Sequence, residues 1–116
     1  MIVFKSPSDL HEKQLNKIAA YPYDWDTFGS SAPDENVIAD AKEAIKILKK
    51  QKFKNIRIVP TGDNSIYLYF DANQNCTFIE VYGQKQFVVP SRYDDSKYFD
   101  VDLKQLKEYL NNDSFC

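Results

Sequence analysis

SIYLYFDANQNCTFIEVY, residues 65–82, decides the fold class of this chain. Apolar and polar-tipped side chains alternate in Ser65–Phe70 and again in Cys76–Tyr82. A period of two is the pattern of β-strands that bury one face. The turn-forming run Asp71–Asn75 separates the two segments, so they are predicted to pair as neighbouring antiparallel strands.

The same alternation assigns the two faces of the predicted sheet. The face packed under helices is predicted to hold Ile56, Ile58, Ile66, Leu68, Phe70, Ile79 and Val81. The opposite face is predicted to bind a partner, because tyrosine gives a large contact area with a polar tip. Its members are Arg57, Tyr67, Tyr69, Phe78, Glu80 and Tyr82. The alternative is that these aromatic side chains serve cross-strand pairing or are covered by the chain itself.

Further strand-like runs lie on both sides of this pair. Ile56–Val59 precedes it and Lys85–Val89 follows, which predicts a four-stranded antiparallel meander. Gly83-Gln84 fits a two-residue type II′ turn between the last two strands. Pro90 ends the last strand, and the polar and aromatic run 91–100 is predicted to be a loop.

Helical signals flank the strands. Pro7 with Ser6 as N-cap predicts a first helix that ends near Ala20, and Pro33 at the first helical position predicts a second. The second helix has the clearest apolar stripe, formed by Val37, Ile38, Ala41, Ala44, Ile45 and Leu48. Asp100 or Asp102 is predicted to cap a C-terminal helix with the stripe Leu103, Leu106 and Leu110.

Together these elements predict a single α+β domain over residues 1–116. It has two N-terminal helices, a four-stranded antiparallel meander and a C-terminal helix in two layers.

The segment 21–35, YPYDWDTFGSSAPDE, concentrates aromatic and turn-forming residues before the second helix. It is predicted to be a structural joint built on Trp25, Gly29 and Pro33. Trp25 is expected to insert between the helices and the sheet, and Gly29 to supply a positive φ where the chain reverses.

Two motifs in the chain resemble a family of small uncharacterised bacterial proteins. The first is Trp25, Gly29 and Pro33, which follow W-x(2–3)-G-x(3)-P before a helix. The second is PTGDNSIYLYF, residues 60–70, which follows P-T-x-D-G-x-I-x-L-x-W and leads to the IEV strand at residues 79–81. Asn64 and Phe70 replace the usual Gly and Trp, although Asn tolerates a left-handed turn and Phe keeps an aromatic ring. The family has no established reaction, and some of its members look like mobile-element or toxin–antitoxin accessories.

Composition limits the possible functions. The net charge is −2, from 15 basic and 17 acidic residues, which does not favour nucleic-acid binding. No apolar run is long enough to span a membrane, and no secretory signal is recognisable, so a cytoplasmic location is predicted. Cys76 and Cys116 are predicted to be free thiols.

No catalytic motif is present in the sequence, and no cofactor or metal is predicted. His11 is the only histidine and is expected to be exposed on the first helix. The three glycines lie far apart and form no phosphate-binding loop.

The predicted function is therefore that of a non-catalytic module that binds another protein, of the kind seen in immunity proteins, antitoxins or phage-encoded inhibitors. One alternative is a nucleic-acid-associated protein that uses the basic stretch KKQKFKNIR, residues 49–57. The other is a metal-dependent hydrolase that uses the carboxylates of Asp24, Asp26, Asp94 or Asp95.

Overall fold

The computed structural model describes residues 7–72, 75–91, 93–94 and 96–111. Within these residues, three helices and five strands form an α+β arrangement. In chain order they are α1 Pro7–Ala19, α2 Glu35–Lys50, β1 Lys54–Pro60, β2 Ile66–Ala72, β3 Asn75–Gly83, β4 Gln86–Pro90, β5 Tyr98–Val101 and α3 Leu103–Tyr109.

The strands form one antiparallel sheet in the order β1-β2-β3-β4-β5, each paired with its neighbour in sequence. The central hairpin is fully in register, with Leu68 opposite Ile79 and Tyr69 opposite Phe78. The antiparallel meander predicted from residues 65–82 is therefore confirmed.

The sheet has one more strand than predicted. Residues 98–101 form β5, with Val101 opposite Phe87 and Asp100 opposite Val88, so the predicted loop over residues 91–100 is wrong in its last part. The aspartates and lysines near these residues interrupt the apolar pattern by which a strand is recognised in a sequence. An edge strand can contain such residues because it buries little surface and tolerates charge on its open side.

The helices cover one face of the sheet and bury its apolar side chains. Six of the seven residues predicted for this face are buried, and Ile56 is half-buried against the core. Leu15 and Ile18 of α1 join this core, as do Leu106 of α3 and Leu110 just beyond it. From α2 it receives Val37, Ile38, Ala41, Ala44, Ile45 and Leu48. The two-layer prediction agrees with this packing.

The β3–β4 turn differs from the prediction by one position. Gly83 pairs with Gln86, so the turn residues are Gln84 and Lys85, with φ of 55° and 57°. Two positive φ values define a type I′ turn rather than the predicted type II′ turn at Gly83-Gln84. Asp40 of α2 stabilises it, because its carboxylate accepts a hydrogen bond from the Lys85 amide at 2.6 Å.

Helix α2 begins two residues later than predicted. Asp34 is its N-cap and Glu35 its first residue, so Pro33 precedes the helix and is buried there. The helix ends in a Schellman motif, in which the Phe53 amide donates to the Leu48 carbonyl at 3.0 Å. Lys52 occupies the left-handed position of this motif, with φ of 64°.

Helices α1 and α3 begin at residues that agree with the sequence prediction. Helix α1 starts at Pro7, while its predicted cap Ser6 lies outside the described residues. Asp102 caps α3 in a reciprocal capping box with Gln105, which resolves the choice between Asp100 and Asp102.

Candidate functional site

The face of the sheet opposite the helices carries a continuous set of aromatic side chains. Paired residues on neighbouring strands form a row that crosses all five strands. The row consists of Val59, Tyr67, Glu80, Val88 and Asp100. The next row runs from Arg57 through Tyr69 to Phe78. We call this surface the aromatic face and define it by Tyr67, Tyr69, Phe78, Tyr82 and Tyr98.

Four of the five rings of the aromatic face contact one another. Tyr67 stacks on Tyr69 with ring centroids 5.8 Å apart and meets Phe78 edge-on at 5.5 Å. Phe78 also lies 6.1 Å from Tyr69 and 5.9 Å from Tyr98. Such contacts hold the rings in a fixed arrangement without burying them completely.

Exposure rises towards two members of the face. Tyr67, Tyr69 and Phe78 are half-buried by their neighbours, whereas Tyr82 is 46% exposed and Tyr98 is 55% exposed. An exposed apolar patch of this kind is typical of an interaction surface.

Glu80 lies among the rings, and a chain of hydroxyl groups orients its carboxylate. The fully buried Ser65 donates from Oγ to Glu80 Oε2 at 2.9 Å. Thr61 Oγ1 lies 2.7 Å from Ser65 Oγ and accepts from the Asp63 amide at 3.1 Å. Because Ser65 uses its proton on Glu80, Thr61 is the donor in their contact.

The same carboxylate acts on two tyrosines of the aromatic face. The hydrogen bond to Glu80, followed by burial, raises the pKa of Tyr82 to about 12. Burial, followed by the charge of Glu80, raises the pKa of Tyr67. Both phenols therefore stay protonated and act as donors at neutral pH.

Arg57 marks the β1 side of the face. Its guanidinium lies 3.9 Å from Asp71 Oδ1, and its Nη2 donates to Cys76 Sγ at 2.9 Å. Cys76 is a free, exposed cysteine on β3, as predicted, whereas Cys116 lies outside the described residues. Arg57 is thus engaged within the sheet by a neighbouring carboxylate.

The prediction that Trp25 inserts between the helices and the sheet is wrong. The indole is half-buried and lies outside the buried core; its ring is 5.2 Å from that of Tyr21. Its Nε1 donates to the Ser31 carbonyl at 3.0 Å, so Trp25 braces the loop that contains it. Gly29 has the expected positive φ, 80°.

Hydrogen bonds within this loop occupy the carboxylates proposed for metal binding. Asp24 Oδ1 accepts from the Gly29 amide at 2.6 Å, and Asp26 Oδ2 accepts from Ser30 Oγ at 2.6 Å. The bond from Ser30 lowers the pKa of Asp26. In the described part of the chain, no three His, Cys, Asp or Glu side chains lie close enough together to hold a metal ion.

Of the other two hydrolase candidates, the structure describes only Asp94. Asp94 Oδ1 accepts from Ser96 Oγ at 2.6 Å, and this bond lowers its pKa. Asp95 lies outside the described residues.

The basic stretch 49–57 is divided by the chain reversal at the end of α2. Phe53, its aromatic residue, is 8% exposed and packs on Phe70 with ring centroids 5.0 Å apart. A ring held in the core does not stack on a nucleobase, which removes the aromatic part of that alternative.

The prediction that His11 is exposed is wrong. It is half-buried, and its Nδ1 is buried with no hydrogen-bond partner in the described residues. Burial, followed by the nearby charge of Lys49, lowers the pKa of His11.

Sequence reasoning missed several residues of the aromatic face, namely Tyr98, Asp100, Val88 and the supporting Ser65. The alternation in YFDV, residues 98–101, was the available signal, since Phe99 and Val101 lie opposite Val89 and Phe87. Ser65 was predicted as a strand residue but not as a support for Glu80.

Comparison of the chain with protein-family models, curated proteins and solved structures found no match to any of them. Among the helices in the described residues, none is long and apolar enough to cross a membrane.

Proposed function

We propose that this protein is a non-catalytic interaction module that binds another protein through the aromatic face. The observation that carries the proposal is a network of four contacting aromatic rings, Tyr67, Tyr69, Phe78 and Tyr98, on the side of the sheet opposite the helices, with the exposed Tyr82 on the same face. Tyrosine is favoured in such surfaces because a rigid ring with a polar tip gives much contact area for little loss of side-chain entropy.

The chemistry of the face also supports binding rather than catalysis. The raised pKa values of Tyr67 and Tyr82 favour their protonated forms, and Ser65 holds Glu80 through a hydrogen bond. A fixed pattern of rings, hydroxyls and carboxylates gives a partner a rigid template at low ordering cost. We further propose that the protein acts in the bacterial cytoplasm as an immunity-type, antitoxin-like or phage-encoded inhibitor, which suits its small size and mild acidity and agrees with the resemblance described above.

The test is affinity capture from the native host with the wild-type chain and two variants. The double variant Tyr82→Ala/Tyr98→Ala removes the two most exposed rings of the face. Leu10→Ala removes an exposed hydrophobic side chain, 60% accessible, from α1 in the helical layer. We expect the wild type and Leu10→Ala to recover the same protein and the double variant to lose at least about 90% of it, as expected when anchor side chains are removed. Equal recovery by all three chains, with folding verified by circular dichroism, would refute the proposal.

A further inference from the structure

Glu80 is a preorganised anion that has no ion-pair partner among the described residues. The ion pairs found within 4.0 Å among the described residues join other side chains. Arg57, the cation closest in register, pairs with Asp71 instead. Glu80 accepts a hydrogen bond from the neutral hydroxyl of Ser65, and Tyr67 lies directly opposite it on β2. Hydroxyl donors orient a carboxylate while leaving its charge uncompensated.

The surroundings of this charge match a guanidinium group. The two phenol rings stand beside the carboxylate, and Asp100 adds a second negative charge close enough to act on Tyr82. A guanidinium is planar, weakly hydrated and able to stack on an aromatic face while it donates to a carboxylate. A phosphate backbone, by contrast, would be repelled by Glu80 and Asp100.

We propose that Glu80, with the rings of Tyr67 and Tyr82, receives an arginine side chain of the protein partner. This inference rests on the proposed function and specifies its chemistry. The arginine stacks on one of the tyrosine rings and donates to a carboxylate oxygen of Glu80. Support from the fully buried Ser65 means that little reorganisation is needed when the cation arrives.

A small-molecule titration tests this inference without the partner. N-acetyl-arginine methylamide is added to the full chain at low salt, and backbone amide shifts are followed by NMR. We expect saturable shifts at Tyr67, Glu80 and Tyr82. The neutral isostere N-acetyl-citrulline methylamide should cause none of them. No saturable shift, equal shifts with citrulline, or shifts confined to other residues would overturn the inference.

Variants separate charge from shape. Glu80→Gln keeps an oxygen that can accept from Ser65 but removes the charge, and should weaken arginine binding at least about tenfold, as for a desolvated charge-assisted contact. Tyr82→Leu should weaken it because the ring is lost, whereas Tyr82→Phe should retain it. Unchanged affinity in Glu80→Gln would overturn the inference.

The two proposals fail in different ways. If host-protein capture depends on Tyr82 and Tyr98 but the arginine probe does not bind, the inference falls and the proposed function stands. If the probe binds at Glu80 while capture is indifferent to the aromatic face, the proposed function falls, and with it the assignment of the arginine to a protein partner.

Discussion

At the scale of single residues, Tyr82 shows how a neighbouring charge on the aromatic face raises the pKa of a side chain. The Glu80 carboxylate acts on the Tyr82 hydroxyl, and ionisation would add a second negative charge close to the first. The neutral phenol is therefore favoured in the folded protein, which keeps the hydroxyl available as a donor to Glu80.

The first prediction concerns the pH dependence of this tyrosine. Its folded pKa, about 12, lies above the ordinary value of 10.0, so folding favours the protonated form. The resulting stability is fully present below pH 10.0 and is lost as the pH rises towards 12. In Glu80→Gln the midpoint should fall towards the ordinary value. Ring carbon NMR shifts, assigned with Tyr82→Phe, measure it, and a midpoint unchanged by Glu80→Gln would contradict the prediction.

The sequence was least informative about the positions of single side chains, as Trp25 and His11 show. Tryptophan is a residue type usually found in the core, yet hydrogen bonds that the carboxylates of Asp24 and Asp26 accept within the loop hold the Trp25 segment at the surface. His11 has charged neighbours in sequence but packs near the end of α2, where Lys49 acts on it. The position of Trp25 depends on hydrogen bonds within one loop, and that of His11 on a contact with a distant segment; hydrophobic periodicity indicates neither.

At the scale of elements, strong periodicity predicted the helices and the central strands, whereas their ends followed tertiary contacts. The stripe of α2 and the alternation of β2 and β3 each repeat over several turns or pairs, so one misleading residue does not hide them. The β3–β4 turn has no Asn-Gly signal; its position depends on the bond from Lys85 to Asp40, which lies 45 residues away in sequence. The edge strand β5 is only four residues long.

The end of α2 gives a prediction at this scale. Lys52 adopts the left-handed conformation of the Schellman motif, which costs a non-glycine residue about 1–2 kcal/mol. Lys52→Gly should therefore raise the free energy of unfolding by about 0.5–1 kcal/mol, after allowing for the greater flexibility of glycine in the unfolded chain. Urea denaturation measures the change.

Lys50→Gly is the matched control for this helix end. Lys50 is exposed and is the last residue of α2, so glycine there removes helix propensity and relieves no strain. It should lower the free energy of unfolding by about 0.5–1 kcal/mol. Shifts of the same sign in both variants would show that the left-handed position is not the source of the effect.

At the scale of the whole molecule, the sheet separates the buried core face from the aromatic face that we propose for recognition. Successive side chains of β2 alternate between Leu68 and Phe70, both fully buried, and Tyr67 and Tyr69 on the aromatic face. Sequence alternation predicted this division, since one buried face fixes the register of every strand. The identity of the partner is not contained in that pattern, because an exposed ring contributes little to the fold that displays it.

The last prediction tests this separation directly. Phe70→Ala empties a fully buried position beside Phe53 and should lower the free energy of unfolding by about 3–5 kcal/mol. Tyr98→Ala removes a ring of nearly the same size that is 55% exposed, so its cost should stay below about 1 kcal/mol. Urea denaturation of both variants gives the comparison. A loss in Tyr98→Ala as large as that in Phe70→Ala would mean that the aromatic face is a second core, and recognition would then have to be sought elsewhere on the molecule.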